Sequence, residues 1–170
     1  MRIRHSVIGV VGVLVWLLAT LFVTGSAQAS SAQAAAPVKA GTGGQLRVAP
    51  PAPEGARTAS DLTVAAVSPT ISPSVRYVHV ATGEWYTCDW GNLCGEVWDP
   101  VVGKWKIFYL YTCNRYALSN WNGMGDYINA QTDGAVGTFY GQNGGVLRTV
   151  AADAVEHPQD WSPVWYIRNC

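Results

Sequence analysis

The hydrophobic and polar positions of the chain follow three different patterns. Residues 7–23 are almost continuously apolar, residues 30–74 contain no aromatic side chain, and residues 75–170 alternate between apolar and polar positions. Period-two alternation of aromatic and β-branched residues is typical of strands. It predicts four strands, at 104–111, 136–140, 146–150 and 164–167. Because Gly, Asn, Asp and Pro separate these segments, we predict an all-β sandwich or barrel.

The first 29 residues have the pattern of a secretory signal peptide. Two arginines precede the apolar run, and Ala27-Gln28-Ala29 has the small-x-small form of a signal-peptidase site. We therefore predict an extracellular protein. The apolar run is long for a signal peptide, so an uncleaved N-terminal anchor is the alternative. No later stretch approaches the ~18 apolar residues of a membrane span, so no membrane association is expected after cleavage.

Composition divides the exported part at about Val75. Residues 30–74 are rich in Ala, Pro, Ser, Thr and Gly, which predicts a disordered linker or a pro-segment. Residues 75–170 contain seven of the eight Trp, all eight Tyr and all four Cys, so they form the predicted domain. Nine acidic and six basic side chains after Val75 give a net charge of −3, which argues against nucleic-acid binding. We predict a monomer without a cofactor.

The four cysteines indicate two disulfides, since the domain is small and exported. A zinc site is not expected, because Cys88 and Cys94 have five residues between them and no histidine pair accompanies them. A CxxC redox motif is absent as well. Loop entropy does not select one of the three connectivities. Geometry favours Cys88–Cys94, because a turn at residues 89–92 brings them within bonding distance, and Cys113–Cys170 then follows.

The domain contains an internal repeat. Residues 97–108 align without a gap on residues 139–150 at an offset of 42, and each copy has the pattern of strand, tight turn ending at Gly, strand. The matched pairs are Trp98 with Tyr140, Gly103 with Gly145, and Lys106 with Arg148. Any two β-hairpins share some of these features. Equal turn length and equal Gly position nevertheless favour two related motifs packed as a pair.

This repeat resembles the pair of Greek-key motifs in βγ-crystallins. The segments 92–129, 138–150 and 161–170 further resemble peptidase inhibitor family I36, secreted actinomycete proteins typified by a Streptomyces metalloproteinase inhibitor. The best-matching pieces are the short-spaced cysteine pair that ends in Leu93-Cys94, the hairpin with Trp98 and Gly103, and the Asn-Gly region at 120–125. The resemblance implies a Greek-key sandwich of two motifs and inhibition of a metalloproteinase.

Two departures from these families concern function. Cys113 and Cys170 are too far apart in sequence to close the second short loop, which holds the reactive segment of the characterised inhibitor. Where crystallin motifs have a serine after the Asn/Asp-rich turn, this chain has Gly125, Asp126 and Tyr127. The first departure means that this chain lacks the loop that holds the inhibitor's reactive segment. The second means that it lacks the serine of the crystallin turn, which bears on calcium binding.

The candidate protease-contact loop is the segment closed by Cys88 and Cys94. A disulfide-closed loop on a rigid sheet presents its residues at little cost in conformational entropy. Trp90 is the predicted anchor, because Trp is enriched among binding hot spots. The full candidate set is Asp89, Trp90, Gly91, Asn92 and Leu93. The alternative is a structural staple whose Trp90 folds back over the sheet.

Two other binding functions are consistent with the composition. Exposed tryptophan rings stack on sugars, so a carbohydrate or cell-wall-binding module is the alternative to an inhibitor. The seven domain tryptophans are Trp85, Trp90, Trp98, Trp105, Trp121, Trp161 and Trp165. Calcium is a weaker alternative, with oxygen ligands from Asn120, Asn122, Asp126 or Asn129. Asn-Gly and Gly-Asp pairs also form simple turns.

An enzyme is not expected. The chain has no Gly-x-Ser-x-Gly nucleophile motif, and two disulfides would leave no free thiol. His157 lies in the polar segment EHPQD, which predicts a solvated loop. Glu96 and Asp99 are three positions apart on a predicted strand, so they should face opposite sides and not share one acid/base site.

Overall fold

The structure, a computed structural model, describes residues 43–56 and 66–170 of the chain. Both ranges fold entirely into β-strands and turns, and no helix within them is long and apolar enough to cross a membrane. The predicted signal peptide or N-terminal anchor at 1–29 lies outside the described residues. The all-β prediction is confirmed.

Twelve strands are present in the described ranges, and every pairing is antiparallel. They are β1 (Gln45–Val48), β2 (Thr70–Ser72), β3 (Arg76–Val80), β4 (Trp85–Cys88), β5 (Leu93–Asp99), β6 (Lys104–Leu110), β7 (Arg115–Ser119), β8 (Met124–Asn129), β9 (Val136–Tyr140), β10 (Val146–Ala151), β11 (Glu156–Asp160) and β12 (Tyr166–Arg168). Sheet 1 has the order β10-β9-β12-β7-β2, and sheet 2 has the order β11-β8-β5-β6-β3. Strands β1 and β4 form a separate two-stranded ribbon.

The two five-stranded sheets exchange one strand each. In sheet 2, β5 and β6 form a hairpin and β8 lies beside β5, whereas β7, between them in sequence, lies in sheet 1. In sheet 1, β9 and β10 form a hairpin and β12 lies beside β9, whereas β11 lies in sheet 2 next to β8. The two halves of the domain therefore follow the same path.

The two predicted hairpins are confirmed, with one difference in their turns. Strand β5 pairs with β6 in continuous register, and Gly103 has the left-handed φ of +68° that closes this turn. In the second hairpin the left-handed residue is Gly144, with φ +76°, and not the aligned Gly145. The register also shifts between Val146 and Arg148. The two copies of the repeat therefore share the arrangement of their strands, but the left-handed glycine of the second turn is one residue earlier than the alignment predicts.

Part of the segment predicted as a disordered linker, residues 30–74, is ordered strand. β1 pairs with β4, and β2 pairs with β7 at the edge of sheet 1. Ala49, which follows β1, is buried. The segment has no aromatic residue, so aromatic packing does not order these strands. They are ordered because their backbones hydrogen-bond to strands β4 and β7, which come later in the chain.

The segment EHPQD, predicted as a loop, is strand β11. It pairs with β8, with Pro158 opposite Asp126. Proline is tolerated here because β11 is the edge strand of sheet 2, where a missing N–H costs no ladder hydrogen bond. His157 is consequently not a solvated turn residue: its ring stacks on Tyr127 at 5.2 Å, and its Nε2 lies 2.7 Å from Asp153 Oδ2.

Two hydrophobic clusters cover the two faces of sheet 2. The first lies between the sheets and consists of Leu93, Val97, Phe108, Leu110, Tyr116, Leu118, Trp121, Tyr127, Phe139, Val150, Trp161, Val164 and Ile167. The second lies between sheet 2 and the β1–β4 ribbon and consists of Ala49, Val80, Tyr86, Cys88, Cys94, Trp105, Ile107, Tyr109, Ile128 and Ala130. Strands β5, β6 and β8 are therefore buried on both faces.

Close packing between β5 and β8 depends on one glycine. The fully buried Trp161 donates a hydrogen bond of 2.8 Å from its Nε1 to the carbonyl oxygen of Glu96. A Cβ atom at Gly125 would lie 2.1 Å from this oxygen and 2.8 Å from the indole nitrogen. Only glycine leaves room for this approach of backbone and ring.

Candidate functional site

The predicted disulfide pairing is confirmed. Cys88 and Cys94 are bonded with their Cα atoms 6.0 Å apart, and Cys113 is bonded to Cys170. No free cysteine remains. The first bond joins the end of β4 to the start of β5, so it connects the β1–β4 ribbon to sheet 2. The second holds the last residue of the chain against the segment that follows β6.

The loop between Cys88 and Cys94 is a tight turn with its backbone engaged. The N–H of Gly91 donates to the carbonyl of Ala130 at 2.8 Å, and Ala130 N–H donates to Asn92 O at 2.9 Å. Asn92 Nδ2 donates to Asp89 O at 3.0 Å, which closes the turn from inside. The loop therefore has the rigidity that its disulfide predicts, but its backbone already pairs with the segment after β8.

Only part of the candidate set reaches the surface. Leu93 and Asn92 are buried, and they belong to the packing of the domain. Trp90 is 37% exposed at the tip of the turn. Asp89 forms an ion pair with Arg76 on β3. The side chains available to a partner are therefore those of Trp90 and Asp89, with Gly91 between Trp90 and the buried end of the loop.

An exposed tyrosine extends this surface. Tyr111 is 71% exposed, and a Cβ atom placed on Gly91 would lie 2.9 Å from Cε2 of its ring. Gly91 has a left-handed φ of +84°, a conformation that favours glycine. We define the tip surface as Asp89, Trp90, Gly91 and Tyr111. The sequence alone did not associate Tyr111 with the loop.

A groove of about 490 Å³ lies beside the tip surface. Its aromatic wall includes Tyr109, on whose ring the Arg76 guanidinium stacks at 3.7 Å from the centroid, and Tyr111. Amide groups of Asn92 and Asn114 also line it. The groove thus combines the exposed ring of Tyr111 with the exposed amide of Asn114, an aromatic and a polar group that one ligand can contact together.

The tryptophans divide between core and surface. Trp105, Trp121 and Trp161 are buried, and Trp98 is half-buried. Trp85, Trp90 and Trp165 are exposed on three different elements: strand β4, the disulfide turn and the segment before β12. Among the seven tryptophans of the described residues, these three are the exposed ones and can stack on a ligand.

A cluster of carboxyl groups lies between sheet 2 and the ribbon. Glu96 on β5, Asp126 on β8 and Glu156 on β11 each place one carboxylate oxygen within 4.8 Å of the others. The hydroxyl of Tyr86 on β4 lies 3.0 Å from Glu96 Oε2 and 3.2 Å from Glu156 Oε1. Having a single proton, it donates to one of these oxygens at a time.

Ionising all three carboxyl groups of the cluster is unfavourable, because they are close together and partly or fully buried. Burial raises the pKa of Glu96 to about 8, and the Asp126 and Glu156 carboxylates add to this rise against the opposing Tyr86 hydrogen bond. Burial and the Glu156 carboxylate raise the pKa of Asp126 to about 6. Burial and the carboxylates also raise the pKa of Tyr86 far above its usual value. The groups can therefore retain protons near neutral pH or hold a cation.

Sequence reasoning missed this cluster. Its three carboxyl groups come from strands that adjoin in sheet 2 but are 30 residues apart in sequence. Glu156 lies in the segment EHPQD, whose sequence predicts a loop, although the segment is strand β11. The available signal was Glu96 itself, a charged residue within the apolar run Leu93–Trp98 of a central strand.

Asp99 belongs to a different network, on the opposite face of β5 from Glu96. Ser68 Oγ donates to Asp99 Oδ1 at 2.9 Å, and His79 Nε2 lies 3.0 Å from Oδ2. Burial acts to raise the pKa of Asp99, but hydrogen bonds from His79, Ser68 and the Val101 N–H outweigh it and lower the pKa. The predicted separation of Glu96 from Asp99 is consistent with these separate partners.

The predicted calcium ligands do not form one set. Asp126 faces the ribbon, whereas Asn129, three positions along β8, faces the other cluster and donates from Nδ2 to Val150 O at 3.1 Å. Asn120 and Asn122 lie in the turn between β7 and β8 and line another groove. Of the four candidates, only Asp126 lies in the carboxylate cluster.

Comparison of the chain with protein-family models, curated proteins and solved structures finds no match.

Proposed function

We propose that the protein is an exported, non-enzymatic binding protein of βγ-crystallin type that inhibits a metallopeptidase, as in family I36. Strand order supports the fold assignment. In each half, the fourth strand lies beside the first and the hairpin partner follows, giving β8-β5-β6 and β12-β9-β10, while the third strand crosses to the other sheet. Two disulfides in a small domain support export.

The observation that carries the inhibitor proposal is the tip surface. A disulfide and two hydrogen bonds to Ala130 hold the turn rigid, so a partner gains contact without ordering a loop. Trp90 and Tyr111 are exposed large aromatic residues next to one glycine. Such side chains dominate the energetics of protein interfaces.

The proposed contact uses side chains and not a substrate-like backbone. An inhibitor that binds as a substrate places an extended segment with free N–H and C=O groups in the peptidase cleft. Here Gly91 N–H and Asn92 O are occupied by Ala130. The tip surface would therefore block the cleft with Trp90 and Tyr111, while the turn stays intact and resists cleavage.

A titration against a thermolysin-type metallopeptidase tests this proposal. The purified protein should reduce hydrolysis of a fluorogenic peptide stoichiometrically when the enzyme concentration exceeds the inhibition constant. The incubated protein should remain uncleaved on a gel. Full hydrolysis at a large excess of the protein would refute inhibition for this class of peptidase.

The alternative is a carbohydrate or cell-wall-binding module. The groove beside the tip surface favours it, because the exposed Tyr111 offers a ring face and the exposed Asn114 offers an amide. Retention on insoluble chitin, cellulose or peptidoglycan is the assay. Retention that is lost in Tyr111→Ala, without inhibition of the peptidase, would favour this function over the first.

A further inference from the structure

We propose that Glu96, Asp126 and Glu156 form a binding site for a hard divalent cation, with Ca²⁺ as the best-fitting ion. Hard cations take carboxylate oxygens as ligands, and Ca²⁺ binds them at about 2.3–2.6 Å. Two ligands on opposite sides of Ca²⁺ are therefore about 5 Å apart. All three carboxylates already offer oxygens within 4.8 Å of one another, so the ion needs no large rearrangement.

The three ligands lie on a rigid base. Strands β11, β8 and β5 are neighbours in sheet 2, and Glu96 lies directly opposite Asp126. Glu156 lies opposite Ile128, two residues from Asp126, so its side chain is on the same face. Positions fixed by strand pairing give a site that is formed before the ion arrives.

An unsatisfied oxygen points to a missing ligand. Glu96 is 2% exposed, and its Oε1 has no hydrogen-bond partner in the described part of the chain, although Oε2 accepts from Tyr86. A buried acceptor without a partner costs about 1–3 kcal/mol. A cation at the centre of the cluster would satisfy this oxygen.

Charge supports the same conclusion. Within residues 43–56 and 66–170, no Lys, Arg or His side chain forms an ion pair with Glu96, Asp126 or Glu156. The other buried carboxylate, Asp99, has both His79 and Lys106 within 4.0 Å. Glu96 is therefore a buried carboxylate without a protein counter-charge in these ranges, and the partly buried Asp126 and Glu156 beside it have none either.

The site has an entry path. A pocket of about 250 Å³ is bordered by Gly125, Asp126, Trp105 and Pro158. Asp126, which borders this pocket, is partly exposed, and one of its carboxylate oxygens lies within 4.8 Å of one from the buried Glu96. An ion that enters the pocket therefore reaches Asp126 first.

Calorimetric titration of the full chain with CaCl₂, after treatment with EDTA and dialysis, tests the proposal. We expect one Ca²⁺ per chain at pH 7.5, and the same protein should show a higher Tm in Ca²⁺ than in NaCl of equal ionic strength. MgCl₂ should bind more weakly, because Mg²⁺ requires shorter and more regular coordination. No saturable heat with millimolar Ca²⁺, Mg²⁺ or Mn²⁺ would overturn the proposal.

Three variants locate the ion. Glu96→Gln should weaken Ca²⁺ binding at least ~100-fold, since even neighbours of ligands typically contribute 10–100-fold. Glu156→Gln, on the edge strand, should also weaken Ca²⁺ binding. It replaces Glu96→Gln as the test if near-ultraviolet circular dichroism shows that the buried variant does not fold. Asp133→Asn, in an exposed turn, should bind as the parent does. Parent-like binding in folded Glu156→Gln, or equal loss in Asp133→Asn, would overturn the assignment.

The proposal of a cation site and the proposal of a peptidase contact can be refuted independently. The tip surface contains none of the three ligands. Loss of Ca²⁺ binding in Glu156→Gln with unchanged inhibition would leave both proposals standing. Absence of inhibition with intact Ca²⁺ binding would remove only the first.

Discussion

Replacing Gly125 by alanine should destabilise the domain strongly, because β5 and β8 pack through this residue. The new Cβ would lie 2.1 Å from the carbonyl oxygen of Glu96, which is backbone and cannot rotate away. A carbon–oxygen contact normally needs more than 3 Å, so the strands must separate by about 1 Å. The Trp161 indole, 2.8 Å from the same Cβ, would have to move as well.

The magnitude follows from two losses. Overpacking of a dense core costs about 1–3 kcal/mol. Displacing Trp161 also weakens its hydrogen bond to Glu96 O, worth about 1 kcal/mol. We therefore expect a loss of about 3 kcal/mol in the free energy of unfolding, and a fall in Tm of roughly 10–20 °C for a domain of this size.

Urea unfolding followed by tryptophan fluorescence measures this loss, and Gly145→Ala is the matched control. A Cβ at Gly145 meets no atom within 4 Å, and this glycine is not among those with a left-handed φ. The control should be within about 1 kcal/mol of the parent. A Gly125→Ala variant as stable as the control would refute the described packing of β5, β8 and Trp161.

Three further predictions concern stability. Removing Cys113–Cys170 by paired serine substitution should lower the free energy of unfolding by ~4 kcal/mol, and removing Cys88–Cys94 should lower it by ~2.4 kcal/mol. The first loss is larger because that bond closes the longer loop. The opposite order of the two losses in urea unfolding would contradict this. Asp99 has a lowered pKa in the folded state, so its stabilisation is complete above the unfolded pKa of ~3.9 and is lost as pH falls through the folded value. His79→Ala should therefore move the acid-unfolding midpoint, measured by circular dichroism, to higher pH; an unmoved midpoint would exclude this role. Trp161→Ala should lower the free energy of unfolding, measured with urea, by about 3–5 kcal/mol. A loss below about 1 kcal/mol would show that the ring is not buried.

The sequence predicted those parts of the fold that depend on local pattern. The alternation at 104–111 and 136–140 corresponds to β6 and β9, and the repeat corresponds to the hairpins β5–β6 and β9–β10. The exchange of β7 and β11 between sheets was not visible in this pattern. Alternation shows that a strand has two different faces, but it does not show which strand lies beside it.

Short strands without aromatic residues were missed for a related reason. β1 has the alternating sequence Gln-Leu-Arg-Val, but four residues are too few to predict a strand, and β1 is ordered by pairing with β4. Pro158 argued against a strand at 156–160, although the edge of a sheet tolerates it. In both cases long-range pairing decided the structure, and a local rule could not detect it.

The candidate site was predicted in part. The turn geometry of residues 89–92 correctly favoured the Cys88–Cys94 bond. The burial of Leu93 could not be foreseen, because it depends on packing between two sheets. Tyr111 joins the surface only because the chain after β6 returns to Gly91, a contact between residues 20 positions apart.

The most direct test of the central claim is the inhibition constant of two tryptophan variants against the same metallopeptidase. Trp90 and Trp165 are similarly exposed, at 37% and 43%, but only Trp90 lies on the tip surface. Trp90→Ala should weaken inhibition at least ~30-fold, the loss of a hot spot worth about 2 kcal/mol, and Trp165→Ala should leave it unchanged. Equal inhibition by both variants and the parent would contradict the proposed contact.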